Sequence, residues 1–245
     1  MCIHRYQRNA TVTCETARAM MTDPDEPQSE HASPRRTRPK AVVFDLGGVL
    51  IDWDPRYLFR ALFAGDEAAM ERFLADVCSP AWNARQDEGR TFAEAVESLA
   101  LEHPEQRELI EAYWRRWPET LGAAIEPTVA ILAELRQAGV PTYALSNWSA
   151  ETFPLARPRY PFLDWFEAIV ISGEVRVAKP DERIFRHLLE RHDLVPESTV
   201  FIDDSGANVR AASALGLIAI QFEGAAALRR ELAALGLPLR RSPVR

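Results

Sequence analysis

Asp45 ends the short apolar run Ala41-Val42-Val43-Phe44 and is followed by Leu46, Gly47 and Gly48. A carboxylate at the exit of a continuous apolar strand can attack phosphorus or carbon, forming an aspartyl intermediate that water then hydrolyses. The glycines behind it leave the backbone N–H groups of Leu46 and Gly47 free to approach an anion closely. Three more polar clusters follow: Ser146-Asn147, Lys179-Pro180 and Asp203-Asp204. Ser146 offers a hydroxyl, and Asn147 its side-chain and backbone N–H, to a phosphate oxygen. Lys179 supplies positive charge that offsets repulsion between Asp45 and an anionic substrate. Asp45, Asp203 and Asp204 together form a carboxylate cluster that calls for a divalent cation, and an all-oxygen donor set suits Mg²⁺. Taken singly, these clusters are a turn, a helix N-cap and a surface loop. Their order, each beside the end of a candidate strand, reads as an anion site with its own nucleophile, the equipment of a hydrolase.

The elements that must position these residues alternate. Strands are expected at Ala41–Phe44, Thr142–Leu145, Ala168–Ile171, Thr199–Ile202 and Leu217–Phe222. Between them lie helical faces marked by Val129, Leu132 and Leu135, then by Ile184, Phe185, Leu188 and Leu189, and last by Leu228, Leu232 and Leu235. Strands alternating with helices imply an α/β fold, a doubly wound parallel sheet. The stretch 55–125 breaks the alternation and reads as wholly helical, an inserted cap over the strand edge. The core is then 41–54 and 126–238, with a disordered tail at 1–40 and a short tail at 239–245. Met20 and Met21 offer alternative starts within the first tail. Within the insert, Trp82 and Gln86 share a helix face by spacing and are expected to face Asp45 as substrate contacts. Trp114, Trp117, Asp87 and Arg90 lie nearby in sequence.

Composition narrows the function classes. The chain has 245 residues, a formal charge of -7 and 47% apolar residues. That balance suits a packed core and argues against nucleic-acid and membrane partners. The basic clusters Arg35 to Lys40 and Arg240-Arg241 read as solvated tails. Cys2, Cys14 and Cys78 form neither a disulfide framework nor a zinc pattern, so a reducing cytoplasm is the default expectation.

The run Phe44-Asp45-Leu46-Gly47-Gly48-Val49-Leu50, then Leu145-Ser146-Asn147, Lys179-Pro180 and Ile202-Asp203-Asp204-Ser205, resembles the four ordered motifs of the haloacid dehalogenase superfamily. The position of the insert resembles the helical-cap subclass. The resemblance implies a Rossmann-like core and, for most members, Mg²⁺-dependent hydrolysis of a small phosphorylated metabolite such as a sugar phosphate. It makes Asp45 nucleophile and metal ligand, Asp204 the direct metal ligand and Asp203 its partner. The Gly47 carbonyl also faces the metal, Ser146 and Asn147 bind phosphate, and Lys179 orients Asp45 and the phosphoryl group. One departure stands out: most phosphatases of this kind carry a second aspartate, a general acid and base, where this chain has Gly47. Its loss costs roughly 10²–10⁴-fold in rate and least for good leaving groups. Asp52 and Asp54 are possible substitutes. Two alternatives follow from the same gap: a metal-independent 2-haloacid dehalogenase, and a weakly catalytic protein that binds a ligand or partner.

Overall fold

The computed structural model describes residues 38–240. Its strands are β1 (Ala41–Phe44), β2 (Ile51–Trp53), β3 (Leu121–Ala124), β4 (Thr142–Ser146), β5 (Ala168–Ile171), β6 (Thr199–Asp203) and β7 (Ile218–Gln221). Its helices are α1 (Arg56–Leu62), α2 (Glu67–Asp76), α3 (Pro80–Asp87), α4 (Phe92–Glu102), α5 (Arg107–Arg115) and α6 (Glu126–Gln137). They continue with α7 (Phe153–Ala156), α8 (Ser172–Val175), α9 (Glu182–Arg191), α10 (Gly206–Ala214) and α11 (Ala225–Ala234).

The expected α/β sheet is present. Five parallel strands run in the order β5-β4-β1-β6-β7, so β1 is central. A strand covered on both faces must be apolar at every position, and all four residues of β1 are buried. Their side chains alternate between two cores. Val42 and Phe44 pack with Ile131, Leu132 and Leu135 of α6 and with Leu228 and Leu232 of α11. Val43 packs with Leu145 and Phe201 against Ile184, Phe185, Leu188 and Leu189 of α9. The register then brings the functional residues level. Phe44 pairs with Ala144 on one side and with Ile202 on the other, so Asp45 lies beside the ends of β4 and β6. The Asp45 N–H donates to the Ile202 carbonyl at 2.8 Å.

Between β2 and β3 the chain forms α1 to α5 and their connecting turns. The expectation of an all-helical 55–125 misses one element: β3 pairs antiparallel with β2, so both connections to the helices pass through one two-stranded ladder. Leu121-Gly122-Ala123-Ala124 carries little strand signal, and only its partner selects the extended form. The tails expected at 1–40 and 239–245 lie largely outside the described residues. The described parts are tied down rather than loose. Arg38 donates to the Gly236 carbonyl, the Lys40 N–H to that of Ser198, and Arg240 to Gln137 and Glu134. Among the described residues no helix is long and apolar enough to cross a membrane.

Candidate active site

The sheet's carboxyl edge gathers Asp45, Ser146, Lys179, Asp203 and Asp204. Lys179 sits at the centre, on the loop before α9, and its side chain is fully buried. An ammonium has three donors, and all three are engaged: Asp45 Oδ1 at 3.0 Å, Asp203 Oδ2 at 2.7 Å and the Leu145 carbonyl at 2.7 Å. Burial pulls Lys179 toward neutrality, but the two carboxylates more than offset this and hold it above the ordinary lysine range. Lys179 therefore fixes Asp45 by position and charge, with no proton left for a phosphoryl oxygen unless one bond is exchanged. Asn147 differs from expectation in the same way. Its carboxamide accepts from the Lys179 N–H and donates to the Lys179 carbonyl, both at 2.8 Å. The side chain meant for phosphate instead clasps the lysine loop.

Asp45 is buried, and burial pushes its carboxyl up to about 6, opposed by the Lys179 charge and raised further by Asp203. The Leu46 N–H donates to Asp45 Oδ1 at 2.7 Å, so it is turned to that carboxylate rather than left free for an anion. The Ser146 hydroxyl faces the Asp45 carboxylate and favours its charged form. Asp203 is saturated: Oδ1 accepts from the Ser205 N–H at 2.8 Å, and Asn208 Nδ2 reaches both oxygens at 3.0 and 3.1 Å. Asn208, on the first turn of α10, was not legible as a site residue. Asp204 is exposed, and the loop after β1 crowds it so closely that a Cβ on Gly48 would collide with its carboxylate.

Oxygens of Asp45, Asp203 and Asp204 lie within 4.8 Å of one another. An all-carboxylate donor set of this kind fits a hard divalent cation. Since Asp203 is committed to Lys179 and Asn208, Asp45 and Asp204 are the residues with ligand oxygens to offer.

Over this floor lies a small cavity, ≈ 70 Å³, lined by Gly47 and Asn147 below and by Trp53, Asn83, Asp87, Phe92, Trp117, Trp148 and Thr152. Trp117 and Trp148 rings meet at 5.6 Å, and Trp148 Nε1 is held by Thr152 Oγ1 at 3.1 Å. The two expected contacts from the insert do not line it. Trp82 is buried among Phe92 and Tyr113, and Gln86 is fully buried, bonding the Trp82 carbonyl and Arg90. The neighbouring face of α3, Asn83 and Asp87, meets the cavity instead. Both pairs have i,i+4 spacing, so spacing alone could not choose between faces. Trp114 stacks on Phe92 at the helical surface. Asp52 and Asp54 do not line the cavity either: Asp52 accepts from Tyr57 and Asp54 from the Arg56 backbone.

Residues 39–216 match the haloacid dehalogenase-like hydrolase family. The chain belongs to that family. A sesquiterpene phosphatase of Aspergillus oryzae is 26% identical over 197 residues, 79% of this chain and 94% of that protein. A phosphorylated carbohydrates phosphatase of Thermotoga maritima is 30% identical over 181 residues, 73% of this chain and 82% of its own. A haloacid dehalogenase family enzyme of Bacteroides thetaiotaomicron, solved with magnesium and inorganic phosphate, superposes with a TM-score of 0.59. It is 27% identical to this chain and is matched over 75% of this chain and 93% of its own. This chain is a hydrolase of the haloacid dehalogenase-like family with phosphatases among its relatives.

Proposed function

We propose that this chain is a Mg²⁺-dependent phosphatase of a small phosphorylated metabolite, acting through an aspartyl phosphate on Asp45. The observation that carries the reading is the buried Asp45 carboxylate, fixed by Lys179 and clustered with Asp203 and Asp204 at the sheet's edge. In the first step an Asp45 oxygen bonds to phosphorus as the ester P–O bond breaks and the alcohol leaves with a proton. In the second, water attacks phosphorus, releases phosphate and restores the carboxylate. Asp45 and Asp204 would hold Mg²⁺, with the Gly47 carbonyl, and the bound cation would offset charge between Asp45 and the phosphoryl group. Ser146 and Lys179 keep Asp45 aimed.

The helices α1 to α5 act as the cap that walls the substrate from water. The ≈ 70 Å³ of space beneath them supports a small substrate, since one water needs about 10–15 Å³ on a like measure. A phosphoryl group and a short extension fit, and a sugar phosphate is the class that the carbohydrate phosphatase among the relatives favours.

The test is hydrolysis of p-nitrophenyl phosphate and acetyl phosphate with Mg²⁺ and with EDTA, beside chloride release from 2-chloropropionate. Phosphate release that stops in EDTA is expected. Chloride release indifferent to EDTA would move the target of Asp45 from phosphorus to carbon, the reading that Gly47 leaves open.

A further inference from the structure

Gly47 stands where a second aspartate would serve as acid and base, and the structure leaves that side chain's place empty. A Cβ built on Gly47 meets no atom within 4 Å, and the backbone there lies outside the left-handed region. Across the same cavity from Gly47 is Asp87, at the C-terminal end of α3.

Asp87 is held in place from both sides. Asn83 Nδ2 donates to its Oδ2 at 3.2 Å, and Asn83 is held in turn by the Tyr113 hydroxyl of α5 at 3.1 Å. From the core, the Ser149 N–H faces its carboxylate and favours the charged form. The following turn rests on the core too: a Cβ on Gly89 would press on Arg176 and on the Gly173 carbonyl. The Glu151 carboxylate, two residues beyond Ser149, accepts the N–H of Phe92 at 2.8 Å at the start of α4. Among the described residues Asp87 makes no ion pair, so it is a carboxyl facing a catalytic cavity with no cation to keep it charged.

We propose that Asp87 is the general acid and base of this enzyme, supplied by the cap in place of the missing core aspartate. The assignment rests on the phosphatase reading above. As Asp45 bonds to phosphorus and the ester P–O bond breaks, the neutral Asp87 carboxyl gives its proton to the leaving oxygen. The alcohol departs and Asp87 remains as carboxylate. That carboxylate then takes a proton from the water that attacks the aspartyl phosphate, so phosphate leaves, Asp45 is restored and Asp87 is neutral again. Ester plus water has become alcohol plus phosphate, with no proton unaccounted for.

The charge environment agrees. Burial pushes the Asp87 carboxyl up to about 7, opposed by the Ser149 N–H and helped by the neighbouring Glu88. The other groups around it are Tyr113, which burial keeps neutral, Arg176 beside Gly89, and Arg56 and Glu71 across the adjoining cleft. An acid of this kind is protonated below about pH 7 and spent above it, so turnover of esters with poor leaving groups should fall as pH rises through 7. Because the acid rides on the cap, esters need not have good leaving groups once the cap is seated.

The experiment compares wild type, Asp87→Asn and the double variant Gly47→Asp/Asp87→Asn on p-nitrophenyl phosphate and glycerol 2-phosphate, from pH 5 to 9. Expected in kcat/KM, which reads the step that forms the aspartyl phosphate, is a loss of roughly 10²-fold or more by Asp87→Asn on glycerol 2-phosphate, against a few-fold on p-nitrophenyl phosphate, whose leaving group needs no acid. The kcat on p-nitrophenyl phosphate should fall too, because hydrolysis of the shared aspartyl phosphate loses its base. The alkaline limb on glycerol 2-phosphate should vanish with it, and Gly47→Asp should restore part of the rate by filling the empty place. Equal losses of kcat/KM on both esters, or a limb that persists in Asp87→Asn, would overturn the assignment while leaving the phosphatase reading intact. A wild type that hydrolyses neither ester would remove that reading, and the assignment with it.

Discussion

The floor and the roof of the cavity are built on opposite plans. On the floor nearly every polar atom is spoken for: Lys179 has three acceptors, Asp203 takes three donors, and Asn147 locks the lysine loop. The roof is mostly ring faces, from Trp53, Phe92, Trp117 and Trp148, and behind it the indole N–H of Trp82 is buried without a partner among the described residues. A saturated polar network admits one arrangement, because an unpaired buried group costs more than a bond returns. Packed rings tolerate repacking at lower cost. On the phosphatase reading the difference divides the labour: the floor carries the nucleophile that every substrate meets, and the rings of the roof, with Asp87 among them, meet the part of the substrate that varies.

Substitutions can break or sharpen that contrast. Asp45→Asn should abolish turnover of every phosphate ester by roughly 10⁴-fold or more with the fold intact by circular dichroism; substantial residual activity would sink the nucleophile assignment. Lys179→Met should cost about 10²–10³-fold in kcat on all substrates alike. It should also lower the melting temperature, because two buried carboxylates lose their shared cation, at about 3–5 kcal/mol. If Lys179→Met instead altered some substrates far more than others, the floor would be selecting and the contrast would fail. Trp117→Ala should shift the ratio of kcat/KM between bulky and compact esters about tenfold toward the bulky ones, with little change on acetyl phosphate. A uniform loss across substrates would make Trp117 part of the core packing rather than of selection. Smallest is Trp82→Phe, expected to leave activity unchanged and stability within about 1 kcal/mol, since it removes an unsatisfied N–H together with part of a ring. A large loss of activity there would return Trp82 to the cavity.

The same contrast explains what could be read in the chain. The floor residues sit within a few positions of strand ends, and a parallel sheet carries its site at those ends, so Asp45, Ser146, Lys179, Asp203 and Asp204 were legible from order alone. What the order could not give was where each donor points, which is why Asn147 was expected on phosphate and is found on Lys179. On the roof, a helix offers several faces and its amphipathic pattern marks only the buried one. Trp82 and Gln86 carry that pattern inward, and Asn83 and Asp87, one step around α3, meet the cavity. The ladder of β2 and β3 is not legible in the sequence for a related reason: β3 is extended only because β2 is beside it.

Gly47 and Gly48 are adjacent and chemically identical, yet they are open to change in opposite senses. Position 48 has a φ of +72° and the Asp204 carboxylate where a side chain would begin, so any other residue is strained there and must push Asp204 aside. Position 47 has neither obstacle. In a library of all single substitutions, position 48 should be sparsely populated and position 47 more densely. The first glycine leaves room for another residue; the second serves the loop's left-handed path past Asp204.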